Sequence, residues 1–172
     1  MRMMVSGKQT ALRKLKYRIR QRLGLQPFLF LPTMRLVGNK RRHEFLVSPS
    51  TELVIEGFPR SGNTFAVAAF MLSQPRPVRI AHHHHHVPAQ IVYAVRRGIP
   101  TLVVVWKPDD AVLSLVIREP FVSIEEALRD YRLFHERIFP YAYGYVVATF
   151  EEVTSDFGKV ILTLVSANLE SG

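Results

Sequence analysis

Eight residues, Gly57-Phe58-Pro59-Arg60-Ser61-Gly62-Asn63-Thr64, carry the clearest chemistry in this chain. Their G-x4-G-x-T spacing is that of a loop that cradles phosphate. Glycines at 57 and 62 permit tight turns, successive backbone N–H groups point inward, and the start of a following helix favours an anion. Asn63 stands where such a nucleotide loop carries lysine; Arg60 returns a cation to the loop, and Thr64 offers a hydroxyl. A glycine pair by itself also occurs in ordinary strand–helix connections. The strand, the spacing, the arginine and the apolar helix together favour the phosphate reading.

A second cluster, His82–His86, precedes Val87-Pro88. Clustered histidines suggest a metal. Neighbouring residues of an extended strand point to opposite faces, however, so only some of the five can converge. The chain has no cysteine and no carboxylate near the run to complete a ligand set. Polar surface is the plainer alternative, and a neutral imidazole working as a base near neutral pH is the third.

These residues need elements to position them, and from Thr51 the sequence alternates strands and helices. Leu53–Ile55 predicts a short buried strand, Thr64–Leu72 an apolar helix, and Val78–Ile80 a second strand. Pro88–Arg97 predicts a helix with proline in its first turn and Gly98 as its stop. Thr101–Trp106 is β-branched and apolar throughout, the pattern of a strand buried on both faces. Pro108 opens a further helix with Asp109 and Asp110 at its positive end, and Ser123 with Glu126 forms a capping box for another reaching about Ile138. Tyr143–Thr149 predicts a fourth strand and Val153–Ser166 a last helix. Repeated strand–helix units predict an α/β fold, a parallel sheet with helices on both faces, whose ligands sit beyond the carboxyl ends of the strands.

The net charge of +9 is unevenly distributed. Met1–His43 holds 12 Lys/Arg and no Asp or Glu, which leaves 11 basic against 14 acidic residues from Glu44 onward, a charge of −3. A nucleic-acid-binding fold keeps positive charge on the fold itself, so no nucleic-acid partner is expected. The chain divides accordingly into a basic leader, 1–50, and a domain, 51–172. Within the leader, Leu12, Leu15, Ile19 and Leu23 recur at helical spacing among arginines and lysines. Residues 8–23 thus predict a basic amphipathic helix, which suits peripheral contact with an anionic membrane, a targeting sequence, or a solvated helix laying a thin apolar edge on the domain. Gly24–Pro32 reads as a break followed by a short apolar segment, and Gly38–Ser50 as a basic loop or hairpin. No run approaches a membrane-spanning length. The absence of cysteine fits a reducing compartment, and the expected location is cytoplasmic with membrane-peripheral contact.

The segment PRSGNTF (59–65) resembles the 5′-phosphosulfate loop of the sulfotransferases, roughly P-[KR]-S-G-[TSN]-[TS]-[WFL]. The resemblance implies a three-layer α/β/α domain of the P-loop NTPase-like type. It implies 3′-phosphoadenosine 5′-phosphosulfate as donor, no metal, and a hydroxyl or amine acceptor on a small molecule, glycan or lipid. Pro59, Arg60, Ser61, Gly62, Asn63, Thr64 and Phe65 would bind the donor, and Arg60 would also stabilise charge during transfer. The family carries a histidine before X-Pro after its second strand, which maps the general base onto His86, with His84 in support. Trp106–Leu115 is similar to the family's 3′-phosphate segment, roughly R-D-P-R-D-[VA]-x-x-S, placing Ser114 on the phosphate-binding serine. Trp106 holds the position of the family's arginine, and an indole cannot supply a bidentate phosphate contact; Lys107, one position later, is the cation that would reach the donor's 3′-phosphate in its place.

FEEVTSDFGKVI (150–161) resembles a further family stretch, so the likeness covers about Thr51–Val165. Family members continue with more helices and a basic, glycine-containing loop, and the domain is accordingly expected to be incomplete at its C-terminus. Two alternatives stand beside transfer. One is a truncated, non-catalytic relative with weak or no nucleotide binding. The other is a P-loop nucleotide kinase or NTPase, opposed by the missing lysine and by a third strand that ends in Trp106-Lys107 rather than an acid.

Overall fold

Thr101–Val105, the β-branched run, forms β3 of a four-stranded sheet in the computed structural model, which describes residues 7–37, 43–82 and 84–169. It pairs with β1 (Leu53–Gly57) on one side and β4 (Val146–Thr149) on the other, and β2 (Ile80–His82) completes the order β2-β1-β3-β4. All three pairings are parallel, with Ile55 opposite both Leu102 and His82, and Val104 opposite Ala148. Parallel strands need crossovers, and each is helical. α3 (Asn63–Ser73) leads from β1 to β2, and α4 (Pro88–Arg96) from β2 to β3. α5 (Pro108–Arg118) and α6 (Ile124–Ile138) lead on to β4. From β1 the chain turns toward one edge, and from β3 toward the other. The strand order thus places a crevice between the carboxyl ends of β1 and β3.

Residue alternation sorts the two faces. Leu53, Ile55, Leu102 and Val104 face α3 and the C-terminal helices α7 (Phe150–Ser155) and α8 (Phe157–Leu169), sharing a core with Ala66, Phe70, Val153, Val160 and Leu164. Val103 faces the other way, into a core with Ile91, Val112, Leu115 and Phe134 from α4, α5 and α6. The helix–sheet–helix layering follows from this two-sided burial.

Several sequence expectations shift. The second strand begins at Ile80 rather than Val78, because the parallel register sets Ile80, Ala81 and His82 against Leu53, Val54 and Ile55. The fourth strand begins at Val146, since Phe139–Gly144 forms a 3-10 turn in which Gly144 packs too closely on Val95 to admit a Cβ. The last helix is two helices. Thr149 starts α7 with a full capping box to Glu152, and Asp156 breaks the run and accepts the Lys159 N–H at 3.2 Å to start α8. Ser123 caps α6 by accepting the Glu126 N–H at 3.2 Å, but the Glu126 carboxylate turns to Arg18 instead of closing the box.

The leader holds α1 (Gly7–Gly24) and α2 (Pro27–Val37). The apolar segment after Gly24 is therefore helical, with Phe30 and Leu31 buried against Val47, Val54 and Val87. Tyr17 anchors α1 in the α4–α6 core, and Arg18 pairs with Glu126 at 2.6 Å. Arg137 Nε donates to the Leu25 carbonyl at 2.7 Å. The basic stretch Gly38–Arg42, part of the expected loop or hairpin, lies outside the described residues.

Candidate functional site

The loop after β1 enters its turn through Gly57, where a Cβ would overlap the carbonyl oxygen of Val104 on β3. The Ser61 N–H then donates to the Phe58 carbonyl at 3.2 Å, and Arg60 and Gly62 take left-handed backbone angles of φ +75° and +88°. Asn63 does not stand in for a lysine. Its buried Nδ2 donates to the carbonyls of Phe58 and Gly57 at 2.9 and 3.3 Å, tying the two ends of the loop together. α3 starts at Asn63, so the N–H groups of its first turn are directed toward the loop. Ser61 Oγ is fully buried and finds no hydrogen-bond partner among the described residues.

Arg60 reaches from the loop to α5, where its Nε donates to Ser114 Oγ at 3.0 Å. Residues 54 positions apart in sequence therefore meet at the crevice between β1 and β3. The cavity there measures about 340 Å³ and is bounded by Arg60, Thr64, His86, Trp106, Ser114 and Phe150, with Gly62, Asn63 and Phe65 completing it. Of the residues singled out in the sequence, Pro59 and Ser61 are buried behind this lining. Lys107 is exposed at the residue preceding α5 and is not among the lining side chains. The Trp106 indole stacks on the Phe150 ring, centroids 4.5 Å apart and planes 25° from parallel. A Cβ on Gly62 would come within 2.9 Å of Phe150, so the aromatic pair closes one side of the glycine loop. Phe150 was not legible as a site residue, although its place just after β4, at the ligand end of a parallel sheet, is a usable signal.

His86 enters this cavity from the segment between β2 and α4. Its backbone is also left-handed, at φ +50°. Among the described residues Arg60 and His86 are the two non-glycine positions with positive φ, and they line the same cavity. Such conformations cost of order 1–3 kcal/mol each and gather at functional sites. His86 Nδ1 lies 3.1 Å from the Gly57 carbonyl. A carbonyl only accepts, so Nδ1 carries the proton and the basic lone pair is on Nε2.

The other described histidines of the run, His82, His84 and His85, pack on aromatic rings. His82 is buried against Phe45 at 4.3 Å, His84 meets Phe45 at 4.2 Å, and buried His85 meets Phe30 edge-on at 5.5 Å. The backbone turns at 84–85 and the His84 N–H donates to the His82 carbonyl at 2.7 Å. The extended path that would set His84 beside His86 is therefore not taken. His83 lies outside the described residues. Among the described residues no three His, Asp or Glu side chains group as metal ligands.

Beneath His86 sits Glu56, which the sequence reading did not single out. Strand alternation turns it, like Val54, toward α4, where it is fully buried. Gln90 Nε2 donates to Glu56 Oε2 at 2.9 Å, the Gly57 N–H donates to Oε1 at 3.2 Å, and His86 Nδ1 lies 3.8 Å from Oε1. Burial pushes the carboxyl up to about 8, against the lowering effect of its donors from Gln90, Gly57 and Val87. Gln90 Oε1 in turn accepts the Val47 N–H at 2.8 Å, so one side chain links the leader's connection to the base of the site.

Comparison with protein-family models, with curated proteins and with solved structures finds no match.

Proposed function

We propose that this chain is a sulfotransferase-like protein of the P-loop type that moves a sulfuryl group from 3′-phosphoadenosine 5′-phosphosulfate to a hydroxyl or amine acceptor. The observation that carries the reading is the meeting of two backbone-strained residues, Arg60 and His86, with Ser114 in one cavity at the carboxyl ends of β1 and β3. The residues fit an anionic donor. Arg60, the N–H groups opening α3, Thr64 and the otherwise unpartnered Ser61 hydroxyl would hold its phosphosulfate end, and Ser114 a further phosphate.

When bound, the donor supplies an activated sulfuryl group. The chain's own residues do the rest. His86 Nε2 takes the acceptor's proton, its tautomer held by the Gly57 carbonyl. Arg60 and the loop N–H groups face the charge that develops on the far side, held in place beforehand by the loop's internal bonds. No metal enters this scheme.

One observation favours a second reading, a relative that no longer transfers. Trp106 is stacked on Phe150 where a phosphate-binding arginine would stand, and Lys107 is not in the lining. A nucleotide kinase or NTPase is less well supported, because the Asn63 amide is committed to backbone carbonyls and leaves no cation at the lysine position. Isothermal titration with adenosine 3′,5′-bisphosphate decides between them. Transfer predicts a binding heat that Arg60→Ala abolishes and His86→Asn retains. Retained heat in Arg60→Ala overturns the site assignment, and no heat at millimolar ligand in the unaltered protein selects the non-transferring relative.

A further inference from the structure

α1 has two apolar aspects, and the fold uses one of them only at its C-terminal end, where Leu23 packs on the core. Tyr17 is 5% exposed in the core, whereas Leu12, Leu15 and Ile19 stay 51%, 54% and 49% exposed. At 100° per residue the three aliphatic side chains fall within about 60° of one another, roughly 160° from Tyr17. Of the expected stripe, Leu23 at its C-terminal end does pack on the domain, against the core of Phe30, Leu31 and Val87, whereas Leu12, Leu15 and Ile19 point outward; the helix docks through Tyr17, Leu23 and the Arg18–Glu126 pair. Exposed Lys16 flanks the stripe on one side and exposed Arg22 on the other. α2, packed against α1, adds exposed Phe28, Leu36 and Val37. No acidic residue occurs before Glu44 to offset the 12 basic ones.

We propose that α1 lies on an anionic lipid surface, with Leu12, Leu15 and Ile19 entering the boundary between headgroups and acyl chains and Lys16 and Arg22 meeting the lipid charges. Outward aliphatic side chains between cations suit this surface, because a bilayer accepts both groups at the same depth. A nucleic acid would use the cations and leave the leucines in water. A second copy of the chain would bring two strongly basic leaders together and be repelled. No helix among the described residues is long and apolar enough to cross a membrane, so the contact is with the surface.

The test is flotation of the full chain with vesicles of phosphatidylcholine alone and with about one third phosphatidylserine. The protein is expected to float with the anionic vesicles only, and to be released as salt is raised to about 0.5 M. The variant Leu12→Gln/Leu15→Gln/Ile19→Gln keeps charge and helix propensity, and should lower the bound fraction at least tenfold with an unchanged thermal melt. Lys16→Gln/Arg22→Gln, which touches neither the stripe nor the core, should also weaken binding and flatten its salt dependence. Failure of the unaltered chain to float, equal flotation with uncharged vesicles, or undiminished binding by the triple variant overturns the proposal. None of these outcomes depends on nucleotide binding.

Discussion

Glu56 offers the sharpest test of the site's construction. Its carboxyl is fully buried beneath His86 and is pushed up from 4.5 to about 8 by burial. An acid raised in this way keeps its proton longer in the folded chain than in the unfolded one. Its stabilising contribution is complete below pH 4.5, falls as pH rises, and is gone above about 8. At about 1.4 kcal/mol per pH unit the full span is about 5 kcal/mol, of which about 4 is lost between pH 5 and pH 8. Glu56→Gln removes the titration while keeping an oxygen for Gln90 Nε2 to donate to. Urea unfolding of both proteins at half-unit steps from pH 5 to pH 8 isolates the effect as their difference. The unaltered chain should lose about 4 kcal/mol relative to Glu56→Gln across this range. His135, lowered to about 4 by burial, gives a slope of opposite sign, but it is present in both proteins and cancels. Arg20 and His86, the ionisable groups acting on Glu56, are likewise shared. A difference that stays constant within about 1 kcal/mol would refute a buried carboxyl held in its acid form.

Two further variants probe the frame around the cavity. Gly57→Ala would set a methyl against the Val104 carbonyl and the Asn63 side chain, forcing β1 from β3 where the loop begins; a loss of about 3 kcal/mol or more, or failure to fold, is expected from thermal and urea melts. Near-native stability in that variant would mean that β1 and β3 do not approach so closely. Thr149→Ala removes the hydroxyl that accepts the Glu152 N–H and breaks the capping box, costing about 1 kcal/mol and lowering Tm by about 3 °C, with no loss from the cavity lining. An unchanged Tm would show that α7 does not start at that cap.

The parallel sheet was legible because its strands are short β-branched runs buried on both faces, and Thr101–Val105 left no competing reading. What misled were places where a tertiary partner outweighed local pattern. Gly24–Pro32 reads as a break because of its proline content, yet Pro27 falls in the first turn of α2, where its missing N–H costs nothing, and the burial of Phe30 and Leu31 holds the helix through Pro32. The segment from Val153 reads as one apolar helix, but Thr149 and Asp156 each cap a helix of their own. Of the site, the glycine loop could be read because its spacing is local. That Arg60 and Ser114 serve one cavity could be expected only through resemblance, the hydrogen bond between them was not legible, and Glu56 could not be found at all. A lone acid in a strand looks like an exposed residue until the alternation of β1 against α4 is known.

That alternation also explains why the leader and the cavity are one structure despite the break in composition near residue 50. Glu56 is held by Gln90, and Gln90 by the Val47 N–H, so the connection out of the leader reaches the strand end beneath His86 through a single side chain. At the other end of the leader, Gly24 lies so close to Val87 that a Cβ would overlap its side chain, and Phe30 packs on His85. The residues on both sides of His86 along its own segment, His85 and Val87, are thus covered by α1 and α2, while His86 itself is held to the Gly57 carbonyl. A left-handed backbone at His86 persists only when its neighbours are fixed. The leader's helices supply that constraint with one set of side chains and leave another, Leu12, Leu15 and Ile19, turned outward.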